Sequence, residues 1–201
     1  MLFRSLSVSL SGVDVSAWGP VQRRALGLHF VPEERLGRGA VPELSLAQNL
    51  LLTRQEALGP WGWIRLDELA SQAQRIIARF QVKASGPAAS ARSLSGGNLQ
   101  KFIVGREIEA QPRLLIVSQP TWGVDVGAAA QIRAELLRLR DAGCAVLLVS
   151  EELDELFELS DRIHVISEGR VSPPLNREKA NPILVGEWMS GLWPGGSHVA
   201  L

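Results

Sequence analysis

Cysteine, lysine, net charge and long apolar runs are all scarce in this chain of 201 residues. The lone cysteine, Cys144, excludes a disulfide scaffold and fits a reducing compartment. It lies in an apolar run, where it reads as a buried small hydrophobe or, alternatively, as a reactive thiol. Only three of the 21 basic residues are lysines: Lys83, Lys101 and Lys179. Formal net charge is zero, so there is no electrostatic footprint for a nucleic-acid duplex or an anionic membrane surface. No apolar run reaches the ~18–20 residues of a membrane span. The apolar stretch in residues 1–10 is too short for a secretory signal. Any membrane role is therefore expected to be peripheral. His29, His164 and His198 show no ligand spacing, so no metal site is expected.

What is present is an ordinary globular composition, 46% hydrophobic and 21% charged. Residues 3–10 alternate apolar and polar, which predicts a strand broken by Ser11-Gly12. A short helix is expected over 21–26 and a buried strand over 28–31. The charged segment 33–42, with Gly37 and Gly39, reads as a loop. Ser45 with Gln48 is a capping box that opens a helix over 46–52. Apolar residues at helical spacing predict a second helix over 64–80. Ser95 opens a third, running to about residue 109. Apolar strands are then expected at 114–117, 145–149 and 163–166, separated by helices at 128–140 and 152–159. Strand, helix, strand, helix, strand predicts parallel strands with right-handed crossovers. The fold class is α/β, with a helical insert over about 42–109. A short terminal helix is expected near 184–189.

The strongest local signal is Leu94-Ser95-Gly96-Gly97-Asn98-Leu99-Gln100-Lys101. A Ser-Gly-Gly turn at a helix start exposes backbone amides and the positive end of the helix dipole. Such a turn suits a terminal phosphate; it also suits a merely flexible turn with Ser95 as cap. The neighbouring motifs decide between these. Gln119 follows Gly97 by twenty-two residues, within an apolar strand, a polar pair, Pro120-Thr121 and Gly123-Val124-Asp125. Residues 146–155 repeat the pattern of a strand followed by an acidic turn. Ser160-Asp161-Arg162-Ile163 and Glu168-Gly169-Arg170 close the series.

This order resembles the ATP-binding cassette (ABC) ATPase family over roughly residues 5–175. It is most similar to the second ATPase domain of the ATPase subunits in simple-sugar and nucleoside importers. The signature form Leu-Ser-Gly-Gly-Asn-x-Gln-Lys carries that likeness. So do Val31-Pro32-Glu33-Glu34-Arg35 with Arg38-Gly39, and Ser45-x-Ala47-x-Asn49-Leu50. The resemblance implies a P-loop NTPase-like core with a partial ATPase domain over 1–175 and a tail over 176–201.

The departures from the family pattern are informative. No Gly-x-x-x-x-Gly-Lys-Ser/Thr phosphate loop occurs, and none of the three lysines follows a glycine. The family's motif order places that loop upstream of Met1. The expectation is therefore a truncated gene model or a naturally shortened domain. The family's Asp-Glu at the end of its 114–117-like strand corresponds here to Ser118-Gln119. A glutamine orients water but accepts no proton, and loss of a general base costs ~10²–10⁴ in rate. The family's switch histidine aligns with Glu151, and its Q-loop glutamine with Glu33. Both substitutions add negative charge beside a triphosphate.

The resemblance implies that Ser95, Gly96, Gly97 and Asn98 face the γ-phosphate of an ATP whose phosphate loop lies on a second ABC ATPase domain. Asp125, the D-loop residue, would couple the two halves. ATP and magnesium would be held through that partner, and transmembrane permease subunits would dock the helical insert. The chain would lie on the cytoplasmic face of the plasma membrane, with no nucleic-acid partner. Isolated, it is expected to be inactive. The alternative is a non-catalytic interaction module or a remnant of such a subunit. Trp61 and Trp63 read as membrane-partner anchors or as local packing, and Trp122 as an interface contact or a packed side chain.

Overall fold

The computed structural model describes residues 7–54 and 63–193. They form two compact units, one of residues 7–23 with 150–193 and the other of residues 24–54 with 63–149. The division falls within α1 (Pro20–Ala25).

The larger unit is built on a parallel three-stranded sheet. Its strands are β3 (Leu28–Val31), β4 (Leu114–Ser118) and β5 (Ala145–Val149), in that order. Register is even: Leu28 opposes Leu114, which in turn opposes Ala145. Helix α5 (Val126–Asp141) makes the crossover between β4 and β5, and Gly143 (φ 94°) takes the left-handed turn after it. Between β3 and β4 lie α2 (Leu46–Leu50), α3 (Leu66–Arg79) and α4 (Gly96–Glu109). The predicted capping box is present in both directions. Ser45 Oγ accepts from Gln48 N (3.1 Å), and Gln48 Oε1 accepts from Ser45 N (2.9 Å).

Helix α4 is buried along its whole length after the first turn, from Leu99 to Ile108. It packs against α3, α5 and β3. Contact with α3 is close enough that a methyl group on Gly105 would lie 2.6 Å from Phe80. The apolar contacts of Phe80, Phe102, Ile103 and Ile76, all 0% exposed, form the core there. Each such side chain contributes about 1.5–3 kcal/mol through burial.

In the smaller unit, β1 (Ser9–Leu10) and β2 (Val13–Asp14) form a hairpin. Its two turn residues, Ser11 (φ 51°) and Gly12 (φ 79°), are both left-handed, as a two-residue hairpin loop requires. Residues 3–6 of the expected strand lie outside the described residues.

The expected third parallel strand at 163–166 is corrected. That segment splits into β6 (Arg162–Ile163) and β7 (Ile166–Ser167), which pair antiparallel with β9 (Leu175–Asn176) and β8 (Arg170–Val171). The turn at Glu168-Gly169, with φ of 50° and 74°, folds the chain back on itself at once. A local partner thus satisfies its ladder, and Ser172 Oγ takes the Val165 amide at 2.9 Å. Helices α6 (Leu153–Leu159) and α7 (Pro182–Met189) cover this hairpin. Ile163, Val165, Leu175, Val185 and Trp188 are its core.

Candidate functional site

The first turn of α4 is open. Ser95 holds the cap position in extended backbone (φ −63°, ψ 154°), yet its side chain makes no hydrogen bond to the helix backbone. Its Oγ instead accepts from Asn98 Nδ2 (2.8 Å), and Asn98 Oδ1 accepts from Lys83 N (2.8 Å). The signature turn is thereby tied to the loop after α3. Leu99 N is the first amide to find a carbonyl, that of Ser95 (2.9 Å). The amides before it lack intrahelical partners by helix geometry. Ser95 and Gly96 are exposed, and Gly97 and Asn98 are partly so. The helix start and its dipole therefore lie at a partly solvent-exposed turn, a feature that an anion site can use.

Arg35 lies against this turn. Its Nε donates to Gln100 Oε1 (3.1 Å), and its Nη2 donates to the Trp122 carbonyl. The guanidinium also stands 5.8 Å from the centre of the Trp122 ring. Burial lowers the Arg35 pKa from its ordinary value. The neighbouring Glu34 pairs with Arg38 (2.9 Å), leaving Arg35 to these polar contacts. In the sequence Arg35 stands out only as part of a motif. The missed signal is an arginine directly after two carboxylates in a loop that must reach two glycine turns.

The 119–125 loop stands beside the signature. Val124 would lie 3.6 Å from a methyl group on Gly97. Gln119 adopts φ 49°, a strained conformation for a non-glycine residue, and its amide donates to the Val149 carbonyl (2.8 Å). Asp125 caps α5, its Oδ1 accepting from Ala128 N (2.9 Å). That hydrogen bond, with the charge of Lys101 adding to it, lowers its carboxyl pKa. Trp122 is 60% exposed and Val126 84% exposed, so this loop and the start of α5 present apolar surface near the signature turn.

Glu33 is exposed and lines a cleft of about 720 Å³ together with Glu34, Arg38, Phe30, Ser118 and Trp122. Ser95, Gly96, Gly97, Asn98, Asp125, Gln119 and Glu33 all belong to the larger unit. Glu151 belongs to the smaller one, where it is exposed. Trp63 is 76% exposed, and Trp61 lies outside the described residues. Cys144 is buried and unpaired, and burial raises its thiol pKa.

The fold is that of ABC ATPase cassettes. A solved bacterial ABC transporter cassette, MJ0796 in its dimeric form, superposes with a TM-score of 0.69 at 17% identity, over 85% of this chain and 73% of that one. The MJ1267 cassette gives 0.69 at 20% identity, over 90% and 74%. No family model matches the chain.

Relatives sharpen the class. The chain is 38% identical over 187 residues to the nucleoside import ATP-binding protein NupA of Lactococcus lactis, covering 92% of this chain and 37% of that protein. It is 34% identical over 192 residues to the ribose import ATP-binding protein RbsA of Halalkalibacterium halodurans, covering 96% and 38%. With the guanosine import ATP-binding protein NupO of Bacillus subtilis the figure is 37% over 187 residues, covering 92% and 37%. Over nearly its whole length the chain is homologous to the ATP-binding subunits of sugar and nucleoside ABC importers. It spans under two-fifths of the length of these relatives.

Proposed function

We propose that the chain is an ATP-binding component of a sugar- or nucleoside-type ABC importer that completes, in trans, an ATP site on a partner ATPase domain. Ser95, Gly96 and Gly97 face the γ-phosphate, and Asp125 couples the two halves. The observation that carries this is the first turn of α4, which has no side-chain cap and whose residues 95–98 are exposed or partly so, with Trp122 and Val126 exposed nearby. The homologues' printed roles in nucleoside and ribose import support it.

The donor set of this chain fits a terminal phosphate but not a magnesium ion. The strand end is Ser118-Gln119, with no carboxylate, and among the described residues no group of three His, Cys, Asp or Glu could hold a metal. ATP and magnesium are therefore assigned to the partner's phosphate loop. Gln119 can orient a water but cannot take its proton. Permease subunits dock the helical part, where exposed Trp63 offers an aromatic anchor, and so hold the chain at the inner face of the plasma membrane. Among the described residues no helix is long and apolar enough to cross a membrane.

The test is ATP turnover by this chain assembled with a phosphate-loop-bearing cassette of its importer. Ser95→Ala should lower the assembled rate about 10²–10³-fold, the effect of losing one donor to developing charge. The chain alone should not turn over. Healthy turnover by the isolated chain would overturn the proposal.

A second reading, a non-catalytic interaction module, is favoured by one observation. Among the described residues β5 is an edge strand of its sheet, and it exposes Leu147 (54%) and Val149 (47%). An assembled rate unmoved by Ser95→Ala would select it.

A further inference from the structure

We propose that Arg35 is a positioning residue of the composite ATP site, its guanidinium tying the signature turn to the 119–125 loop so that both meet a partner as one body. This rests on the function proposed above and deepens it.

The guanidinium lies in a slot left by two glycines. A methyl group on Gly96 would fall 2.7 Å from its Nη1, and one on Gly123 would fall 3.6 Å from its Nη2. Gly123 also needs its left-handed backbone (φ 61°) to turn the loop there. The second residue of the signature trio is thus small for Arg35 as well as for any phosphate. From this slot one planar fork reaches two segments, Gln100 Oε1 in α4 and the Trp122 carbonyl in the loop, while its face lies over the Trp122 ring. No carboxylate neutralises it among the described residues, and Glu34 is already paired with Arg38. An ion pair would hold the charge but not the geometry. A fork with two divergent acceptors fixes the distance between the segments.

Lysine cannot reproduce this, because a single ammonium has no rigid pair of donors to span both acceptors. Ser95, Gly96 and the 119–125 loop apart from buried Pro120 are partly or fully exposed, so what Arg35 fixes is the relative placement of surface groups. Misplacing such groups by about 1 Å can cost about 10²-fold in rate.

The test compares Arg35→Gln, Arg35→Lys and Ser95→Ala in the full chain. In Arg35→Gln, hydrogen exchange of the Leu99 amide, bonded to the Ser95 carbonyl, and of the Trp122 and Val124 amides, bonded within the loop, should rise together, about tenfold, while α3 keeps its protection. In the assembled complex, kcat should fall about 10- to 100-fold with little change in KM for ATP. Arg35→Lys should not rescue either readout, and it carries the test should Arg35→Gln fold poorly. Faster exchange in one segment alone, or full rescue by lysine, overturns the proposal. A Ser95→Ala complex of normal rate instead sinks the functional reading, whatever the exchange data show.

Discussion

His29 Nδ1 donates a 2.8 Å hydrogen bond to the buried carboxylate of Glu107, joining β3 to α4 across 78 residues of sequence. The same carboxylate receives Arg24 Nη1 at 3.0 Å and Arg106 Nε at 2.8 Å. Glu107 is 0% exposed and Arg106 2%. Arg106 also donates to the Asn49 carbonyl (3.2 Å), so the network reaches α2. It holds the signature helix against the sheet.

Removing the carboxylate would leave Arg106 buried and uncompensated. Glu107→Ala is therefore expected to lose about 3–5 kcal/mol, as for other broken buried ion pairs. Urea unfolding of wild type and variant measures it. A loss under about 1 kcal/mol would mean that water reaches the network and screens it.

Acid should act through the same group. Burial alone would push the Glu107 carboxyl up, but Arg106, the His29 hydrogen bond and Arg24 outweigh it. They lower it from 4.5 to about 2. A depressed folded value means that unfolding takes up a proton between those two values. The stability from this group is thus complete above about pH 5 and is lost as pH falls towards 2, by on the order of 3 kcal/mol. Urea midpoints taken at intervals down to about pH 3 should show this slope in wild type and not in Glu107→Gln. Parallel slopes would reject the assignment.

Gly105→Ala sets two effects against each other. In a free helix the change stabilises by about 0.5–1 kcal/mol through backbone entropy. Here the new methyl meets Phe80 at 2.6 Å and Ile76 at 2.9 Å, both 0% exposed. Overpacking of this kind costs about 1–3 kcal/mol. The clash outweighs the entropic gain, so the melting temperature should fall. Phe80→Leu in the same background should recover part of the loss, and a rise in the single variant would show that the α3–α4 contact is looser than described.

How far these features can be read from the amino-acid string differs by element. The Ser45-Gln48 box is local chemistry and is legible, as are the positions of β3, β4 and β5 from their apolar runs, but the burial expected of the 145–149 strand is corrected: β5 leaves Leu147 and Val149 exposed. The signature turn is legible because its residue types are rare together. Residues 163–166 are not: a short apolar run does not say which neighbour it pairs with, and the Glu168-Gly169 turn supplied a nearer one than the sheet. Glu107 is opaque for another reason. A helical carboxylate reads as surface unless the three side chains that donate to it, two of them on other elements, are known to converge. Arg35 likewise gains its meaning from Gln100 and Trp122, 65 and 87 residues away.

Asp125 separates a structural from a functional demand on one residue. As the cap of α5 it accepts from Ala128 N, a task asparagine performs equally well. Asp125→Asn should therefore unfold at the wild-type urea concentration, whereas Asp125→Ala should unfold earlier. The proposed coupling to a partner domain uses the exposed charge rather than the cap. Charge-assisted hydrogen bonds are about twice as strong as neutral ones, so Asp125→Asn should lower kcat of the assembled complex about tenfold with its fold intact. Equal rates for Asp125→Asn and wild type would leave Asp125 as a helix cap and nothing more.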